Sequence, residues 1–316
     1  MGCGQQPGAI RELFTRRSAP KPNFVGNGGG TISALRSGRK RIFCPIAHGF
    51  GQGKLKNRIH RVRDLKMQPT MKEAPDLEDR IAARERPEGV NVMHQDWHKL
   101  LFLHWEMPVE ELRPLIPEKL AIDTFDRKAW LTVTPLTITN LRPPFLPPVP
   151  YLSWLYELNV RTYVHLDGVP GVWFFSLDAN NLAAVIGART FFSLPYFNAR
   201  IMCEEDGRDV RFWSAREEKK AEFAASWTIG DELPRAEPGS REFFLVERYC
   251  LYAEDSGHIY RSRIHHQPWP LQQALNIQGL RNGVVAADGI PAPGDEPIAH
   301  CGGPVFVDVW PPERVA

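Results

Sequence analysis

Between Tyr156 and Leu177 the order of side chains constrains the backbone more than anywhere else in the chain. From Tyr156 to Val164 the odd positions carry Glu157, Asn159, Arg161 and Tyr163, and the even ones Tyr156, Leu158, Val160, Thr162 and Val164. Successive side chains of a strand point to opposite faces, so one face is largely apolar and the other carries functional groups. Asp167-Gly168 is a tight-turn signal and Gly171 to Leu177 a second apolar run, which together predict a β-hairpin. Centred on that turn, the register sets Asp178 opposite Glu157, Ser176 opposite Asn159 and Phe174 opposite Arg161. By pattern alone the polar face reads as the solvated side of an ordinary sheet.

Four linked segments point elsewhere: ELNVRTYV, GVWFFSLDA, the Ala-rich stretch after it, and SLPYFNARI. In them the chain resembles the YqjF-like proteins, an uncharacterised family of the acetoacetate-decarboxylase-like superfamily, over about Gln95 to Pro311. The resemblance implies a mainly β (α+β) fold: a cone-like, mostly antiparallel β-barrel with a few short helices and a ligand inside, which turns the polar face inward. Glu157, Asp178 and Tyr196 are then the candidate catalytic groups, and Arg161, Asn159, Tyr163 and Phe197 the candidate ligand-binding ones. In acetoacetate decarboxylases a Gly-Phe-Pro turn precedes two lysines, the first forming a Schiff base with the substrate ketone and the second lowering its pKa. Here Ser193-Leu194-Pro195 precedes Tyr196 and Phe197, and neither ring can form an imine. No lysine occurs between Lys128 and Lys219. By the same comparison Glu157 matches a pocket glutamate of the decarboxylases.

Two functions fit. One is an enzyme acting on a small anionic or carbonyl-bearing molecule, with Arg161 holding a carboxylate, Glu157 or Asp178 moving a proton and Tyr196 donating a hydrogen bond. The other is a binding protein that keeps the cavity without the chemistry. Two opposed carboxylates in a low-dielectric interior shift each other's pKa, which favours the enzyme.

A net charge of +2 conceals an uneven distribution. Residues 1 to 66 hold 14 Lys+Arg and 2 Asp+Glu, whereas residues 67 to 316 hold 25 and 35. The first segment, with GNGGG, SGRKR and KNRIHRVR, has little periodicity and reads as a disordered basic arm. Its readings stay open: electrostatic binding of nucleic acid, against which the lack of interleaved aromatic residues stands; a transit peptide; an acylation site at Met1-Gly2-Cys3, against which Gln6 stands; or a natural start at Met67, Met71 or Met93. Residues 67 to 94 read as a polar lead-in and 95 to 312 as the barrel domain.

Within that domain Trp97 to Glu106 reads as a strand and Pro108 to Leu112 as a short helix. Leu120 to Phe125 and Ala129 to Ile138 read as a hairpin, and the proline-rich Leu141 to Trp154 as a loop, either a lid over the cavity or a plain crossover. Asn180 to Thr190 is expected to be helical, capped by Asp178 or Asn180. Hairpins are expected over Tyr196 to Ala215 and Phe243 to His265, a strand over Glu222 to Ile229, a helix over Pro270 to Asn282 and a last strand over Pro304 to Trp310. His94, His98, His104 and Glu106 are metal-type donors, but an extended run needs a further ligand from elsewhere, so no metal or other cofactor is expected. His265-His266 and His300-Cys301 are adjacent pairs that a strand sends to opposite faces, so structural roles are expected of them. Five scattered cysteines without a CxxC pair suit a reducing, cytoplasmic compartment, and no membrane span is evident. Walker, GxGxxG, GxSxG and HExxH motifs are missing from the sequence. Assembly into a homo-oligomer is left open.

Overall fold

The computed structural model describes residues 74–216, 218, 221–294 and 296–316; the basic arm expected over residues 1 to 66 lies outside them. The lead-in carries a helix, α1 (Leu77–Ala82), started by a capping box in which the Asp76 and Asp79 side chains each accept the other's backbone N–H. Then β1 (Met93–His98) and β2 (Leu100–Met107) follow almost without a break. Lys99 separates them with φ at 55°, so the single strand expected over Trp97 to Glu106 is two.

A short helix α2 (Val109–Leu112) and one 3-10 turn lead to β3 (Ala121–Ile122), β4 (Ala129–Arg142), β5 (Leu155–Leu166) and β6 (Val169–Ala179). Helix α3 (Leu182–Phe192) follows, then β7 (Tyr196–Asp206), β8 (Asp209–Arg216), β9 (Ala221–Glu232) and α4 (Arg241–Val246). The chain continues through β10 (Cys250–Asp255), β11 (His258–His265), β12 (Leu271–Asn282), α5 (Gly283–Ala287), β13 (Ile298–Gly302), β14 (Val305–Val309) and β15 (Glu313–Arg314). The protein is therefore mostly β, and its described strand pairs are antiparallel except β6–β10 and β6–β7.

The strands run in the order β1-β14-β11-β10-β6-β7-β8-β9-β12-β13-β2-β4-β5-β3, and β1 also pairs with β4 and β6 with β5. Those extra pairings close the sheet into two rings that share β4, β5 and β6. The smaller ring is β1, β14, β11, β10, β6, β5 and β4; the larger returns through β7, β8, β9, β12, β13 and β2. One apolar cluster, including Leu103, Val160, Phe223 and Trp227, fills the larger ring; another, including Phe102, Tyr163, Val246 and Trp269, belongs to the smaller. Gly171 allows the small ring to close. A Cβ there would sit 2.7 Å from the Tyr252 ring and 2.9 Å from the Cys250 carbonyl oxygen, so a larger residue would push β10 off β6.

Several expectations are corrected. The β5–β6 hairpin forms, and Arg161 faces Phe174, but a β-bulge opposite Val160 and Arg161 inserts Phe175, so Glu157 faces Ala179 and Asn159 faces Leu177. The turn expected through Asp126-Arg127-Lys128 forms, with Phe125 and Lys128 exchanging both backbone hydrogen bonds, but β3 itself pairs with β5 and not with β4, and Asp123 just beyond it is held by two arginines. The cap of α3 is Asn181, whose side chain accepts from Ala184 N. Phe243 to Val246, expected to begin a strand, belong instead to α4 behind the Ser240 cap. Residues 271 to 282, expected to be a helix, form β12.

Candidate active site

All seven strands of the small ring contribute side chains to one cavity of about 290 Å³, which α3 also lines through Ala184, Gly187 and Phe191. Its wall is mostly aliphatic and aromatic, with Trp97, Phe174 and Trp269 among the largest groups. Because β5 presents every second residue inward, Leu155, Glu157, Asn159 and Arg161 line the cavity in sequence. Glu157 and Arg161 are four residues apart, roughly 13 Å along a strand, so they occupy separate regions of one space.

Glu157 is 4% exposed. The Tyr196 hydroxyl, delivered by the first residue of β7, donates to its Oε2 at 2.7 Å. Burial pushes the Glu157 carboxyl up to about 7, against hydrogen bonds from Tyr196 and Asn159 that favour the anion, with Asp178 adding a smaller upward push. The Tyr196 hydroxyl is raised well above its ordinary range, first by burial and then by the Glu157 charge. This pair holds a group that takes or gives a proton near neutrality.

Arg161 sits 8% exposed with its guanidinium 5.7 Å from the Phe102 ring centroid, and its Nε has no partner. Its side-chain contact is with Tyr163, and no carboxylate among the described residues pairs with it. Burial depresses its pKa from the ordinary value, yet a guanidinium starts so high that it stays charged. The buried Asn159 Oδ1 also lacks a partner. Unmet donors and acceptors inside an apolar chamber are what a polar ligand would satisfy.

Three residues expected at the site lie elsewhere. Because the bulge puts Asp178 opposite Leu158, its carboxylate belongs to a network outside the cavity wall: Arg216 Nε donates to Asp178 Oδ1 at 2.7 Å, and Arg216 Nη2 to Ser176 Oγ at 2.8 Å. Arg216 Nη1 also reaches Asp288 at 2.9 Å. Burial pushes the Asp178 carboxyl up to about 6, opposed by Arg216. Phe197 pairs with Asp178 across β6–β7 and lies under the Arg216 guanidinium, 4.1 Å from ring centroid to Cζ. Tyr163 is fully buried behind the wall, donating to Leu245 O at 2.7 Å and touching Thr132 Oγ1 at 2.8 Å. Of the proline-rich stretch Leu141 to Trp154 only Leu141, which belongs to β4, lines the cavity, and Phe145 and Tyr151 are almost fully exposed, so that stretch does not form the lid. Asn181 ties it to α3 by donating to Tyr151 O at 2.9 Å.

Of the histidines, His98 bonds Thr139 and His104 bonds Thr132, away from each other, while His266 lines the cavity with Nδ1 2.8 Å from Gln267 O. Arg248 also lines it and was not anticipated. Its signal was the charged pair Glu247-Arg248 inside FFLVERYCLY, since charge within an apolar run implies a buried, partnered group. Among the described residues no helix is long and apolar enough to cross a membrane.

The fold resembles those of small-molecule enzymes. A structure of the enduracididine biosynthesis enzyme MppR superposes with a TM-score of 0.54 at 10% identity, covering 72% of this chain and 90% of that one. An acetoacetate decarboxylase superposes at 0.51 with 13% identity, over 72% and 90%. The acetoacetate decarboxylase of Legionella pneumophila does so at 0.50 with 10% identity, over 77% and 97%. In sequence, "Uncharacterized protein YqjF" of Bacillus subtilis (strain 168) is 41% identical over 226 residues, 71% of this chain and 93% of its own. Residues 94–305 match DUF2071, a family of uncharacterized conserved proteins, and the chain belongs to that family.

Proposed function

We propose that this protein is an enzyme that moves a proton on a small carboxylate-bearing carbonyl compound held inside the seven-strand ring, and that it does so without an imine. The observation that carries the reading is one apolar chamber with a guanidinium lacking a carboxylate partner in one region and, about four strand residues away, a carboxyl that titrates at about 7. Arg161 would pair with the substrate carboxylate, which fixes the molecule's direction. Glu157 would then remove or return a proton at the carbon beside the carbonyl, with Tyr196 and Asn159 holding its oxygens in place. A neighbour of the same fold has been seen complexed with pyruvate, a 2-oxo acid, which supports this substrate class by analogy of fold.

No lysine is among the residues lining the cavity, and Tyr196 and Phe197 follow the Pro195 turn. Sodium borohydride added with acetoacetate should therefore trap no adduct; an adduct on any lysine of the domain overturns the imine-free reading. The main test is exchange of the C3 protons of pyruvate and phenylpyruvate in D2O, followed by proton NMR. The native protein should accelerate exchange, and Glu157→Gln should lower the rate at least about 100-fold, the usual contribution of a positioned acid or base. Carboxylate binding without any accelerated exchange would leave a binding protein instead.

A further inference from the structure

The cavity contains a second guanidinium, and its position is set from outside the wall. Arg248 is 5% exposed, lies at the junction of α4 and β10, and lines the same chamber as Arg161. Two of its three nitrogens are committed. Nε donates to Phe244 O at 2.9 Å and Nη1 to Asp123 at 2.6 Å, while the buried Nη2 has no partner. Its Cζ stands 4.6 Å from the Tyr163 ring centroid, and Tyr163 is the group that Arg161 touches, so both guanidiniums contact one side chain.

Asp123 is fully buried and does not serve Arg248 alone. Arg80 of α1 grips it with two hydrogen bonds, at 2.8 and 2.6 Å. Burial pushes the Asp123 carboxyl up, but Arg248 and Arg80 outweigh it and hold the group below its ordinary value, so it stays ionised. The Phe244 ring packs on both arginines, 5.0 Å from the Cζ of Arg80 and 4.3 Å from that of Arg248. One carboxylate shared by two arginines leaves positive charge over, and Arg161 adds another without a carboxylate partner. Buried charge of one sign calls for a counter-charge, and the apolar wall around it favours a carboxylate on an apolar body over a heavily hydrated anion.

We propose that Arg248 is a second anion-binding group of the cavity, held in place by Asp123 and, through it, by Arg80 of α1, so that a substrate carboxylate is bound between two guanidiniums. This rests on the proposed carboxylate substrate and extends it: Arg248 binds, and Arg80 is a positioning residue. The substrate class narrows to a carbonyl compound whose carboxylate sits on an aliphatic or aromatic body.

The test compares 3-phenylpropanoate with its neutral isostere 3-phenylpropanamide on the full chain, by calorimetric titration, and takes the ratio of their affinities as readout. A general loosening of the fold weakens both ligands together; loss of a positioned charge lowers the ratio. The native protein should prefer the carboxylate. Arg248→Lys, which keeps the charge but loses the planar fork, should lower the ratio about tenfold. Arg80→Gln should lower it about threefold to tenfold with amide binding unchanged, and Arg80→Lys should restore part of it. If Arg161→Ala lowers the ratio while Arg248→Lys and Arg80→Gln leave it alone, the second anion group is wrong and the carboxylate substrate stands. If the native protein shows no preference for 3-phenylpropanoate, or for phenylacetate and octanoate over their amides, both readings fall. Should Arg248→Lys not fold, Arg80→Gln decides, because Arg80 is not part of the cavity wall.

Discussion

Glu157 is held between two opposed influences: burial favours the neutral acid, and the donors on Tyr196 and Asn159 favour the anion. Burial prevails, moving the carboxyl from its ordinary 4.5 to about 7, so the folded chain binds a proton that the unfolded chain has released over that interval. The sign follows. A raised folded-state pKa gives stability that is complete below pH 4.5 and is lost as pH rises through 7. At about 1.4 kcal/mol per pKa unit the loss attributable to Glu157 is on the order of 3 kcal/mol. Urea denaturation at pH 5 and pH 8 should show Glu157→Gln losing much less stability over that interval than the native chain. Asp178, pushed up to about 6, contributes in the same sense in both proteins, so some slope should survive. Equal slopes in the two proteins would mean that Glu157 is solvated and ionised throughout, and the acid–base role would go with it.

At the level of elements, the informative junction is where β6 passes from β5 to β7. Arg216, fully buried, ties Asp178 of β6 to Asp288 after α5 and covers Phe197 of β7, so it fixes the strand that delivers Tyr196 to Glu157. Arg216→Met would leave Asp178 buried without its guanidinium, and breaking such a pair costs about 3 to 5 kcal/mol. Adding Asp178→Asn should recover part of that loss in a double-mutant cycle; a loss under about 1 kcal/mol for Arg216→Met would show that the network does not hold the junction. The sequence made the alternation of β5 plain, because a regular strand writes its faces into every second residue. It could not show the bulge at Phe175, which shifts the partner strand by one and sends Asp178 to the other side. β12 hides its strand character for a related reason. Register shifts near Asn276 and Gly279, both at positive φ, leave Leu271, Ala274, Ile277 and Leu280 turned toward the core at intervals of three, a spacing that imitates a helix. Tyr163 shares the inward face of Arg161, but only the structure shows α4 packed against it, which turns an expected ligand contact into a wall support.

For the molecule as a whole, the charge division of the sequence and the contacts of the lead-in make opposite demands on the N-terminal side. Residues 1 to 66 carry 14 basic and 2 acidic groups with little apolar periodicity, so we expect the domain's stability not to depend on them. Residues 74 to 92 are different. Arg80 grips buried Asp123, Arg84 reaches Glu247 at 3.8 Å, and Arg86 reaches Asp308 at 2.5 Å while lying 5.0 Å from the Trp310 ring centroid. Glu247 in turn accepts from the backbone N–H of Trp269, a cavity residue. A chain beginning at Met67 should therefore melt with the full-length protein. One beginning at Met93 leaves Asp123 with Arg248 alone and Glu247 without Arg84, a loss on the order of 3 kcal/mol. For a domain of this size that corresponds to roughly 6 to 12 °C in melting temperature. The exposed pair at Asp308 should add little, so Arg80→Gln by itself should reproduce most of the drop. Equal melting of the Met93 and Met67 chains would show that α1 rests on the domain without supporting it, and would remove the physical basis for its control of Arg248.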